Sequence, residues 1–206
     1  GTAATTFTST VNSEAAEANT LTINGAGGGT ITFTGAVGST VALGAILIST
    51  ATTTLASSTI QAASLVQSAG TLTTLTNNVT TTAAAGVDIT ATDIRLDGLT
   101  IDTSSGNGVA RFAGAVRLDD ATIITRGTAA TTFTSTVNSE AAEANTLTIN
   151  GAGGGDITFT GAVGSTVALG AILISTAVTT LASSTIQAAS LVQSAGTLTT
   201  LTNNVT

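Results

Sequence analysis

Six aspartates and all four arginines of the chain fall in one stretch: Asp88, Asp93, Asp97, Asp102, Asp119 and Asp120, with Arg95, Arg111, Arg117 and Arg126. Paired carboxylates hydrolyse glycosidic bonds when they are held several ångströms apart across a sugar. Adjacent Asp119 and Asp120 would point to opposite sides of a strand, which is poor geometry for that reaction. Ion pairs between neighbouring segments are the simpler account of the mixed charge. Carboxylates at turns also bind calcium, yet the Gly-Gly-x-Gly-x-Asp repeat of calcium β-rolls is absent. Gly153-Gly154-Gly155-Asp156 is only a fragment of it, and the counterpart earlier in the chain ends in Thr30.

The missing residue types narrow the chemistry further. The chain has no His, Cys, Lys, Tyr, Met or Trp. It therefore lacks the commonest general base, the thiolate nucleophile and metal ligand, and the Schiff-base amine. These absences predict a chain that is not an enzyme, with no catalytic residue, no cofactor and no metal site. A net charge of −7 with only four Arg opposes nucleic-acid binding, which needs clustered cations. The strongest apolar run, Val41 to Ile48, is far short of the roughly 18–20 residues that span a bilayer. No basic segment followed by an apolar one opens the chain at Gly1.

The elements that must carry these residues follow from composition and repetition. The 206 residues are 42% hydrophobic and 7% charged, too apolar for disorder, and are dominated by Thr, Ala, Gly, Ser, Val, Leu and Ile. Branching at Cβ favours strands, and without Pro no ladder hydrogen bond is lost to a missing N–H. Residues 1–80 recur as 127–206, a shift of 126, with two differences: Thr30 becomes Asp156 and Thr52 becomes Val178. The chain reads as one continuous solenoid segment over 1–206, with a full repeat at 1–126 and a partial one at 127–206. Thr206 falls in mid-period, where the first copy runs on into Thr81, and this points to an excerpt of something longer.

A shorter period lies inside the long one. All five Phe sit in the motif Phe-[Thr/Ala]-[Ser/Gly]-[Thr/Ala]-Val, as Phe7 to Val11, Phe33 to Val37, Phe112 to Val116, Phe133 to Val137 and Phe159 to Val163. Leu75 to Val79 is a degenerate form, Leu55 to Thr59 a weaker one, and Ile94 a poor sixth anchor. These anchors predict six unequal coils per 126 residues, about 21 residues each. Strands such as Leu21-Thr22-Ile23 and Leu99-Thr100-Ile101 precede them, separated by Gly- and Asn-rich turns. The fold class is therefore all-β, a parallel β-helix whose coils stack at about 4.8 Å, advancing roughly 29 Å per repeat and giving a rod of roughly 45–50 Å.

Within that fold the expected core is Phe7, Val11, Ile23, Phe33, Val37, Leu55, Leu75, Val79, Ile101, Phe112, Val116, Phe133, Val137, Phe159 and Val163. Phe and Val four apart point the same way in an extended strand. Thr30 should be exposed, because its counterpart Asp156 would be costly to bury alone. Thr52, with Val178 as its counterpart, is readable on either face. Val41 to Ile48 reads as strand and turn, and Ala15-Ala16-Glu17-Ala18 as room for a short helical turn. An outer-membrane barrel would want aromatic girdles that five Phe do not supply. Asn78-Val79-Thr80 and Asn204-Val205-Thr206 fit the glycosylation sequon but are given no role.

The strings Thr-Phe-Thr-Ser-Thr-Val-Asn-Ser, Leu-Thr-Ile-Asn-Gly and Ile-Thr-Phe-Thr-Gly-Ala-Val-Gly resemble giant repetitive bacterial surface proteins of the filamentous-haemagglutinin and autotransporter-passenger type. The resemblance runs over essentially the whole chain. It implies a secreted, right-handed parallel β-helix at the cell surface or outside the cell, serving as a fibre or adhesin. Its partners would be its own neighbouring repeats, end to end or side by side, and surface glycans or other cells. A carbohydrate-binding or carbohydrate-active β-helix built on the Asp/Arg stretch is the alternative. A third reading is an ice-binding solenoid using Thr-x-Thr faces such as Thr5-Thr6-Phe7-Thr8 and Thr71-Leu72-Thr73-Thr74.

Overall fold

A computed structural model describes residues 2–25, 29–49, 52–55, 59–152, 155–175 and 185–206, with the backbone alone at 52–55. Every regular element among them is a strand, and every strand pairing is parallel. The chain is a β-solenoid of stacked coils averaging about 22 residues. Each inward side chain packs against its equivalents in the coils above and below, so the core is shared between coils and belongs to none alone.

Three ladders run the length of the rod and define three faces. Face I carries Thr5, Ile31, Thr53, Thr73, Ile94, Val116, Val137, Val163, Ile186 and Val205 in register. Face II carries Val11, Val37, Ile60, Val79, Ile101, Ile124, Ile149 and Ile174. Face III carries Ile23, Ile48, Gln67, Ile89, Phe112, Phe133 and Phe159. The face I ladder makes nine steps, so the rod is roughly 43 Å long at about 4.8 Å per step.

The register corrects the single column of anchors. Leu75 is paired with Leu96, not Ile94, while Ile94 lies between Thr73 and Val116. Phe112 is paired with Ile89, on another face. From Phe7 on face I the chain makes five full turns to Leu118, then passes face II and reaches Phe133 on face III. The 126-residue repeat thus spans five and two-thirds coils of about 22 residues, where six of 21 were expected.

The physical reason is that the Phe-x-x-x-Val motif is a corner and not a strand. The strand Thr5–Phe7 ends at the Phe, the chain bends at Ser9, and Val11 opens the next face. Gly35 and Gly161 occupy the same corner position in other coils. A Cβ on either would collide with the backbone of the coil below, at Ser9 or Ser135. Both ends of the motif point inward, as alternation suggested, but into different faces. A corner of this kind fits between faces I and II, as at Phe7, Phe33 and Leu75. It fits equally between faces III and I, as at Phe112, Phe133 and Phe159.

Phe33, Val37, Leu75, Val79, Ile101, Phe112, Val116, Phe133, Val137, Phe159 and Val163 are buried, while Phe7, Val11 and Ile23 in the first coil are half-buried against them. Leu55 pairs with Leu75 through its backbone, and its side chain lies outside the described residues. The Phe rings form two separate stacks. Phe7 lies on Phe33 with centroids 4.8 Å apart, and Phe112, Phe133 and Phe159 stack at 5.2 and 5.0 Å. Such offset stacking adds about 0.5–1.5 kcal/mol per pair to the area buried.

Val41 to Ile48 contributes the strand Leu43–Ser49. Ala15 to Ala18 forms no helix: Ala15 and Ala16 are a turn, with Ala16 at φ 67° and its duplicate Ala142 at φ 68°. Four residues nucleate no helix without further hydrogen bonds, and here the turn returns the chain to the next strand.

Candidate functional site

The Asp/Arg stretch builds its features from strand register. Val87–Leu96 and Ala110–Leu118 are long strands that each turn a corner, at Ala91–Thr92 and at Gly114, so each contributes to faces III and I. On face III, Asp88 and Arg111 stand side by side and form an ion pair at 2.7 Å, with Thr90 also accepting from Arg111 at 3.4 Å. On face I the outward column reads Thr74, Arg95, Arg117, Asn138.

Arg117 is the centre of the face I cluster. It donates two hydrogen bonds to Asp119, the Nη2 bond at 2.8 Å, and lies 3.3 Å from Glu140 of the next coil. Bonding to Asp119 raises the Arg117 pKa above its ordinary value against the effect of burial, and the charges of Asp119, Glu140 and Asp93 add to the rise. Arg95 forms no ion pair among the described residues. Asp93, Arg95, Arg117, Asn138, Ser139 and Thr166 line an open groove that crosses successive coils on this face.

The remaining carboxylates stay apart. Asp102 accepts from the Ser104 backbone at 2.9 Å and from its hydroxyl at 2.6 Å, and Asp120 accepts from the Ala121 amide at 2.6 Å. Both act as local turn ties. Asp97 is exposed at a turn. Among the described residues no cluster of three or more Asp or Glu is placed to hold a metal ion. Gly153 and Gly154 of the calcium-roll fragment lie outside the described residues.

Arg126 is the cation that the sequence did not single out for burial. It is 1% exposed and donates to the carbonyls of Ala129 at 2.6 Å and Gly155 at 2.8 Å. Burial lowers its pKa, and the nearby charge of Asp156 opposes that shift. Thr30, expected to be exposed, is half-buried, while its counterpart Asp156 is exposed near Arg126. Val178 lies outside the described residues, and for Thr52 only the backbone is described.

The Thr-x-Thr reading also meets a definite geometry. Thr6, Thr32 and Thr74 share one outward register position on face I, with Thr54 paired between Thr32 and Thr74 through its backbone, and the column then continues into Arg95 and Arg117. The ladder is therefore four rungs long before two cations replace it.

Stacked parallel coils with three inward ladders define the class: the chain is a parallel β-solenoid. No family model matches it, and neither a curated protein nor a solved structure does. No helix among the described residues is long and apolar enough to cross a membrane.

Proposed function

We propose that this chain is a length-setting segment of an extracellular bacterial surface fibre, a structural shaft with adhesive capacity and no enzymatic role. The observation that carries the reading is the join between the copies. Phe133 of the second copy pairs with Phe112 of the first by the same parallel ladder that pairs coils inside a copy. Each added repeat therefore lengthens one rod and starts no new domain. Near-identical copies serve a spacer, which gains length from each, better than an enzyme, which needs one site.

Electron microscopy of the native source should show long thin fibres carrying this chain; compact isolated particles would sink the reading.

The face I groove favours a second reading, a glycan-binding surface, because Arg95 forms no ion pair among the described residues and lines the groove together with Asp93 and Asn138. A glycan panel decides it. Retention of an acidic or neutral sugar that is lost in Arg95→Ala supports this reading, and no retention removes it.

A further inference from the structure

The two copies of the 80-residue block do not occupy the same faces. Phe7 and Phe33 lie on face I, and their duplicates Phe133 and Phe159 on face III. Val11 and Val37 lie on face II, and Val137 and Val163 on face I. Leu21 and Ile23 lie on face III, and Leu147 and Ile149 on face II. Every duplicated element described in both copies has moved back by one face.

The change of phase is made inside the part that is not duplicated. Leu75 and Val79 still turn the corner between faces I and II. By Phe112 and Val116 the same motif turns the corner between faces III and I. Between them, Val87–Leu96 crosses from face III to face I without the Phe motif. Leu96, Gly98 and Ile101 then make the I-to-II corner with a different one, Gly98 having φ 63°. Two corner types with interchangeable inward ends allow the switch at little cost, because Ile89 fills the Phe column and Leu96 the Leu column, both fully buried.

We infer that residues 81–126 act as a phase shifter, turning each successive copy of the 80-residue block by one face, so that a multi-repeat shaft shows the same surface in three directions in turn. The outward threonines Thr32 on face I and Thr158 on face III are already such a pair. A partner that recognises one copy meets the next one face round and about 27 Å further along, and the original face returns after three repeats and 17 turns, about 82 Å. A flat partner surface laid along the rod thus contacts every third repeat, while partners on three sides are engaged at once. The array consequence deepens the shaft reading; the phase itself belongs to this single chain and is tested on it.

The chain has no cysteine, so introduced pairs report register without background. The phase-shifted register puts residue 88 beside 111 and residue 95 beside 117. A repeat of six whole turns would instead put 93 beside 111 and 95 beside 113. Four double variants of the full chain, D88C/R111C, R95C/R117C, D93C/R111C and R95C/A113C, are oxidised and read by non-reducing electrophoresis, with circular dichroism confirming the fold. Closure in the first two and background in the last two is the expected result. Closure of D93C/R111C or R95C/A113C, or an open thiol pair in both of the first two with the β spectrum retained, overturns the inference. Fibres seen by microscopy alongside that outcome would leave the shaft reading standing while the phase shift fell.

Discussion

Phe133 stacks on Phe112 with ring centroids 5.2 Å apart, while Phe7, its duplicate, stacks on Phe33 one face away. The same residue in the same local sequence is fully buried in one copy and half-buried in the other. Phe133→Ala should cost about 3–5 kcal/mol, the range for deleting a buried aromatic ring. Phe7→Ala should cost less, since its ring is only half-buried. Urea unfolding of both variants, followed by circular dichroism, checks the ratio; equal losses would contradict the different burial.

Gly161 sits where its corner passes over Ser135, and a Cβ there would run into the Ser135 backbone. Gly161→Val should destabilise by about 1–3 kcal/mol through overpacking between coils. Ser135→Ala, on the coil below, should stay within about 0.5 kcal/mol. Thermal melts of the two variants separate coil-to-coil crowding from a general sensitivity of the corner.

Gln67 interrupts the apolar face III column between Ile48 and Ile89 and is fully buried. Its Nε2 donates to the Ala69 carbonyl at 3.1 Å, and its Oε1 accepts from Thr73 at 2.9 Å. Thr73→Val leaves that oxygen unsatisfied and should cost about 1–3 kcal/mol. Gln67→Leu with Thr73→Val removes both partners and should recover most of the loss. A double-mutant cycle by urea titration measures the coupling; additive losses would show that the pair does not interact.

Thr131 is the converse case. It lies on face III in the inward column next to that of the Phe rings, between Ala110 and Ile157, fully buried, with no hydrogen-bond partner for its hydroxyl among the described residues. Thr131→Val keeps the shape and should stabilise the chain by about 1 kcal/mol, read as a higher urea midpoint. Its duplicate Thr5 is exposed in the first coil, so Thr5→Val should leave the midpoint unchanged.

Much of the architecture was legible in the residues. Recurrence of Phe-x-x-x-Val near every 20 residues gave the coil, and alternation gave the inward set. The phase was not legible, because the corner motif reads the same between any two faces. Ile94 was assigned to the Leu75 column since it lies 19 residues on, whereas the chain uses Leu96 there and Ile89 under Phe112. Hydropathy alone cannot tell Ile89, Ile94 and Leu96 apart, because all three point inward on one long strand. The burial of Arg126 was also hidden, because its partners are the backbone carbonyls of Ala129 and Gly155, and a carbonyl leaves no mark in side-chain composition. In the Asp/Arg stretch, inter-coil ion pairing was readable from the mixed charge. The pairing of Asp88 with Arg111 and of Arg117 with Glu140 required the register.

The central claim is that the repeat sets length. Small-angle X-ray scattering on this chain and on a version extended by one further 126-residue repeat tests it most directly. The account predicts that the longest dimension grows by about 27 Å, five and two-thirds steps of about 4.8 Å, with an unchanged cross-section. An extended chain that thickens while its length stays the same would contradict it.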